Sequence, residues 1–385
     1  MLKTLLGLYL HIPFCAAICN YCNFNRGLFD GALKTRYVDA LVGEIEAAAE
    51  PDTAIDTIYF GGGTPSLLSA ADVSRILDAC RRSFALAADH EITLEANPET
   101  ISRELLDGYR AAGVNRLSYG VQSFNDDELK RLGRLHSADT ARHALAMARQ
   151  AGFDNVSLDL MMWLPEQRID DWLASVDALI EARPDHASLY LLEVYPNAPL
   201  KEEMARAGWS LAPDDDAAAM YLEALARLDA AGYEQYEISN VARPGRQARH
   251  NVKYWLGGEW LGFGCGAHST RHHVRWRNVA ATMEYVQRVA DGRPVVAERR
   301  ALTTDEWLED KLFLGLRLTA GLDLKAIHAC YGLDVWMRHG AELQRFVEAG
   351  LLIYEPHLRL ALTRSGMLMA NEVMAVFIGT DSTVK

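Results

Sequence analysis

The chain has 385 residues, half of them apolar and 24% charged, with a formal net charge of −13. That supply of apolar side chains supports a large core and two domains. No apolar run reaches the roughly 20 residues of a bilayer span, and an acidic chain lacks the positive field that general nucleic-acid binding requires. The six cysteines show no pairing pattern and no signal-like segment precedes the first strand, so a reducing, cytoplasmic compartment is expected.

Leu6 to Ile12 reads as an apolar strand that runs into a loop carrying Cys15, Cys19 and Cys22, spaced C-x3-C-x2-C. Three thiolates within eight residues close on one small metal centre. A closed zinc site takes four N or S ligands and a cubane iron–sulfur cluster has four irons, so three cysteines leave one corner for another group. His11 completing a zinc site is one reading. The other is an iron corner open to an amino acid chelate such as that of S-adenosylmethionine (SAM).

Downstream, short apolar runs alternate with longer amphipathic ones. Leu33 to Glu50 reads as a helix with Tyr37, Leu41 and Ile45 at helical spacing, and Ile55 to Phe60 as a second strand ending in Gly61-Gly62-Gly63-Thr64-Pro65. Ser69 and Asp72 form a capping box for the next helix. Strands follow at Glu91 to Glu95 and Asn115 to Tyr119, around a helix from Arg103 to Ala112 closed by Gly113. The fifth and sixth strands are Asn155 to Met161 and Ala187 to Tyr195, with the helix Asp170 to Ala182 between them. Six strand–helix units with near-continuous apolar strands predict an α/β fold, a partial (β/α)6 TIM-like barrel over residues 1–240. A full eight-unit barrel needs about 250 residues. Residues 241–300 are expected as a loop-rich connecting region. Residues 301–385 are expected as a mainly helical, winged-helix-like domain, with helices near 306–318, 324–331 and 335–349 and a ribbon over 351–362.

In such a barrel chemistry gathers at the carboxyl ends of the strands. The cysteine loop follows the first strand, the glycine run the second, and Glu95 closes the third. Gln122 follows the fourth and Asp159 ends the fifth. Glycines let backbone amides face a ligand without a Cβ in the way. Glu95 and Asp159 are acidic residues in apolar strands, so each needs a partner, from Arg116, Arg134, an ammonium or ribose hydroxyls.

The segments HIPFCAAICNYCNF, GGGTPSLL, EANPE, GVNRLSYGVQSF, LGRLH and RHNVKYW with GFGCGAH together resemble the oxygen-independent coproporphyrinogen oxidase-like branch of radical SAM proteins, over nearly the whole chain. The resemblance implies a [4Fe–4S] cluster on Cys15, Cys19 and Cys22, with Tyr21 near the adenine. It implies SAM contacted by Tyr9, Gly62, Gly63, Thr64, Glu95, Gln122, Arg134 and Asp159. The branch contains heme chaperones and coproporphyrinogen III oxidases. Oxidases carry a fourth cysteine two residues after the third, where this chain has Phe24, and an N-terminal extension. The resemblance therefore implies a chaperone that binds heme and passes it to apo-hemoproteins, some of them membrane-bound, with propionate decarboxylation by a radical SAM oxidase as the alternative. A nucleic-acid-binding regulator using the C-terminal helices is a third reading, at odds with the chain's charge. His250, in the H-N-x-x-Y-W motif, is the expected heme ligand, with Arg271, Arg275 and Arg277 as partners for propionates. Two departures from the family pattern stand out. Trp163 replaces a glycine and is expected to narrow the mouth beside Asp159, and Tyr195 replaces a glutamate, with Glu193 two residues earlier.

Overall fold

A computed structural model describes residues 5–378. Six strands, β1 (Leu6–Ile12), β2 (Glu50–Gly62), β3 (Phe84–Ala96), β4 (Arg116–Gln122), β5 (Val156–Met162) and β6 (His186–Leu191), lie side by side in chain order and run parallel. Helices at Gly31–Ala47, Ala70–Ser83, Arg103–Ala112, Ala138–Gln150 and Ile169–Ala182 separate them. β1 and β5 are buried on both faces, which is why their sequences are almost wholly apolar. Local signals operate as expected. Ser69 and Asp72 cap each other's backbone amides, and Gly113 ends its helix at φ 111°.

The expected connecting region contains further strands of the same sheet. Trp260–Phe263 pairs parallel with β1, and His268–Arg271, Val274–Asn278 and Val296–Ala301 continue outward as an antiparallel meander. On the far side Asn240–Ala242 pairs antiparallel with β6 and Glu234–Glu237 forms the outer strand. The sheet has twelve strands and stays open, a partial barrel. Asp159 does not end its strand; it is the middle residue of β5.

The helix Arg249–Trp255 closes the amino-terminal end of the barrel. Its first amides, of Arg249 and His250, donate to the Glu91 carboxylate at 3.1 and 3.2 Å. Lys253 donates to Leu5 O and, at 2.8 Å, to Asp56. These partners precede the site-bearing ends of β1, β2 and β3, so the opposite end is the one left open.

The C-terminal segment is helical and winged-helix-like. Helices Thr304–Gly315, Leu324–Tyr331 and Val335–Glu348 precede the hairpin Leu352–Glu355 and Arg359–Leu362, to which Leu322–Asp323 adds a third short strand. It shares one apolar core with the barrel. The buried Glu237 carboxylate meets Arg317 at 3.0 Å across the junction. No helix among the described residues is long and apolar enough to cross a membrane.

Candidate functional site

A cavity of ≈ 430 Å³ opens at the carboxyl ends of β1 to β6. Cys15, Cys19 and Cys22 line it, with Gly62, Gly63, Thr64, Glu95, Gln122, Arg134 and Asp159. Strand register makes this convergence. Glu95 is level with Ser118 on β4, and Asp159 is level with Gly120 on one side and Ser188 on the other. Ser118, Gly120 and Gln122 alternate along β4 and all line the cavity.

The cysteine loop is pinned from below. Asn25 donates to Cys265 O and Ala280 O, and Phe14–Cys15 pairs with Gly27–Leu28. Burial pushes the Cys15 and Cys22 thiols up, and nearby Arg26 opposes this at both. Arg134 donates to Cys19 Sγ at 3.4 Å, to Asn97 Oδ1 at 2.8 Å and to Gly120 O at 2.7 Å. The Nε atoms of Arg26 and Arg134 are buried with no protein partner. Two guanidiniums therefore stand beside three thiols with hydrogen-bonding capacity to spare, and the charge of Arg26 offsets part of the burial that opposes thiolate at Cys15 and Cys22.

His11 does not complete a zinc site. It is buried, with Nε2 2.8 Å from Asn25 O and Nδ1 3.1 Å from the Tyr9 hydroxyl. Among the described residues no three His, Cys, Asp or Glu side chains close on a single ion.

The glycine run has a different local role from the one expected. The amide of Gly62 donates to Glu95 at 3.2 Å, that of Gly63 to Ile12 O and that of Thr64 to Phe14 O, both at 2.7 Å. These amides are spent within the protein. A Cβ on Gly63 would lie 2.7 Å from Phe14 O, so the glycine is required where the second loop presses on the cysteine loop.

Glu95 Oε1 accepts from Tyr59 at 2.7 Å. Burial raises this carboxyl to about 7, and the neighbouring Asp159 charge adds to the rise, while Tyr59, Gly62 and Arg116 oppose it. Burial also raises Asp159, against hydrogen bonds from Ser188, Ser118 and Ser157 and the charge of Arg116. Two carboxyls of raised pKa at a cavity wall suit a ligand that brings an ammonium or hydroxyls. Gln122 sits at φ 69°, a strained conformation of the kind found at ligand sites.

Some expected residues lie elsewhere. Tyr9 is not at the cavity wall; its ring stacks on Tyr59 at 6.3 Å, behind Glu95. His250 is also absent from the wall, being 1% exposed, with Nδ1 2.9 Å from Thr57 Oγ1 and Nε2 2.7 Å from the Tyr254 hydroxyl. Arg271, Arg275 and Arg277 are paired with Glu50, Asp310 and Glu298 respectively. Trp163 does not narrow the mouth, because its indole turns away and donates to Ala212 O at 2.7 Å. The wall also holds Asn97, Ser118 and Tyr190, which the reading of strand ends passed over. Period-two alternation with Glu95 and Gln122 is the signal that finds the first two.

The comparisons with known proteins agree with this geometry. The radical SAM superfamily model matches residues 9–179 and the HemN C-terminal domain model residues 302–369. The chain is 36% identical to the heme chaperone HemW of Bacillus subtilis, over 96% of this chain and 98% of that protein. It is 40% identical to the heme chaperone HemW of Mycobacterium tuberculosis, over 97% and 95%. In structure it is similar to the radical SAM enzyme coproporphyrinogen III oxidase (HemN) of Escherichia coli, with a TM-score of 0.86 and 26% identity over 97% of this chain and 90% of that one. With full-length relatives above 30% identity and the cysteine-lined open end of a parallel barrel, the chain belongs to the HemW family of radical SAM proteins.

Proposed function

We propose that this protein is a cytoplasmic heme chaperone that holds a [4Fe–4S] cluster and SAM and delivers heme to apo-hemoproteins. The observation that carries the reading is end-to-end similarity to proteins named heme chaperone, together with Phe24, 69% exposed at the cavity rim where the oxidases have a further cysteine. Cys15, Cys19 and Cys22 would hold the cluster, and the unpartnered Nε atoms of Arg26 and Arg134 suit its negative charge. Gly62, Gly63, Thr64, Glu95, Gln122, Arg134 and Asp159 would hold SAM, Glu95 and Asp159 by accepting from its ammonium and ribose hydroxyls. When bound, the cluster would supply an electron for reductive cleavage of SAM. The protein's part is to orient the ligand between Glu95 and Asp159 and to keep water from the cavity floor, which Tyr59 and the helix Arg249–Trp255 seal.

The resemblance in structure to coproporphyrinogen III oxidase favours one second reading, decarboxylation of porphyrinogen propionates. A single preparation separates the two: anaerobic reconstitution with iron and sulfide, heme titration, and an assay with coproporphyrinogen III and SAM. Heme binding without decarboxylated product is expected; product formation overturns the chaperone. Cys19→Ala, reconstituted alongside, should bring iron and sulfide to background while the far-ultraviolet circular dichroism stays that of the parent.

A further inference from the structure

None of the chain's histidines lines the cavity, and His250 is enclosed with both ring nitrogens engaged. An iron porphyrin at the open end must therefore find another axial ligand. Tyr195 is at the rim, 37% exposed, and its hydroxyl donates to Glu193 Oε2 at 2.6 Å. The bond to Glu193 and partial burial hold this phenol above its ordinary range, and Asn23, from the cysteine loop, opposes them. Phe24 and Leu191, both well exposed, flank the opening with apolar surface.

We propose that Tyr195 is the ferric heme ligand of this protein, with Glu193 as the acceptor of its proton and the macrocycle lying over the Phe24–Leu191 rim. The inference rests on the heme-binding reading and adds to it the ligand and the place. Coordination replaces the O–H bond of Tyr195 by an oxygen–iron(III) bond, and the proton passes to Glu193, the carboxylate already accepting it. No electron is transferred. Phenolate is a known axial ligand of ferric heme. An exposed aromatic and aliphatic rim gives the porphyrin face an apolar seat next to it.

The test is a titration of the full-length protein with ferric heme, read by absorbance, resonance Raman and electron paramagnetic resonance. The wild type should give a high-spin ferric spectrum with iron–phenolate vibrations. Tyr195→Phe, which removes one exposed hydroxyl and should leave folding intact, is expected to lose those vibrations and weaken binding at least roughly tenfold, and Glu193→Gln should weaken it by a comparable factor. Tyr195→His should restore binding with an imidazole-type spectrum. An unchanged spectrum and affinity in Tyr195→Phe would overturn the assignment while leaving heme binding standing. A wild type that binds no heme would overturn the chaperone reading and this assignment together.

Discussion

His250→Gln isolates one buried titration inside the barrel. The imidazole bridges Thr57 and Tyr254 and stacks on Tyr59 at 5.1 Å between centroids. Burial pushes its pKa from 6.5 down to about 3, and Lys253 and Arg116 push in the same direction. Below pH 6.5 the unfolded chain binds a proton there that the folded chain refuses until about pH 3. This group's contribution is therefore complete above pH 6.5 and is lost as the pH falls toward 3. The loss is about 1.4 kcal/mol per pH unit, or about 2 kcal/mol by pH 5. Glutamine does not titrate and can satisfy one of the two hydroxyls, so at pH 7.5 the variant should be less stable by about 1–3 kcal/mol. That deficit should shrink by about 2 kcal/mol at pH 5. Urea unfolding followed by tryptophan fluorescence at both pH values measures it, and groups common to both proteins cancel in the difference. A deficit that stays constant from pH 7.5 to pH 5 would refute a buried, neutral imidazole.

Glu95 carries the opposite sign. Its carboxyl is raised from 4.5 to about 7, so the folded state loses stability as the pH rises through that interval, and Glu95→Gln removes the loss. The stability of the ligand-free variant relative to the parent, followed by its melting temperature, should climb from pH 4.5 to pH 7, by at most about 3 kcal/mol. SAM affinity should fall in isothermal titration, and a flat melting-temperature difference would contradict the burial argument. Trp163 sits at φ 63°, so Trp163→Gly relieves about 1 kcal/mol of backbone strain and gives up the bond to Ala212 O, worth about as much. Its melting temperature should move little and SAM affinity not at all; a marked gain in affinity would mean that the indole does obstruct the mouth.

The parts that were legible in the sequence are those whose cause is local. Near-continuous apolar strands, the Ser69–Asp72 capping box and Gly113 each carry their reason within a few residues, and the cysteine spacing brings three thiols to one cavity. The strands between Trp260 and Ala301 were not legible, because they bear Arg271, Arg275, Arg277, Arg299 and Arg300, which read as loop. The carboxylates that balance three of those charges include Glu50, more than 200 positions away, and Asp310 in another helix. The glycine run misled for the same reason: the atoms that consume its amides belong to Glu95 on β3, Ile12 at the end of β1 and Phe14 in the cysteine loop. The His250 ring is held between Tyr254 and Thr57 and its amide by Glu91, and nothing in RHNVKYW encodes the last two.

The interior of the barrel forms two connected layers. Glu95 and Asp159 stand at the cavity wall, and Thr57, Glu91, His250, Lys253 and Tyr254 form the sealed base. Tyr59 joins them, because it donates to Glu95 and stacks on His250. Removing the imidazole in His250→Ala would withdraw one face of the packing that holds Tyr59, and with it the donor that orients Glu95. Such a variant could lose ligand affinity at the cavity without His250 ever touching a ligand. Loss of heme on mutation of this motif is thus equally a consequence of a disturbed base and of a missing iron bond. The two differ in the spectrum of whatever heme remains bound: a disturbed base lowers occupancy and leaves the ligand signature intact, whereas a lost axial ligand changes the signature itself.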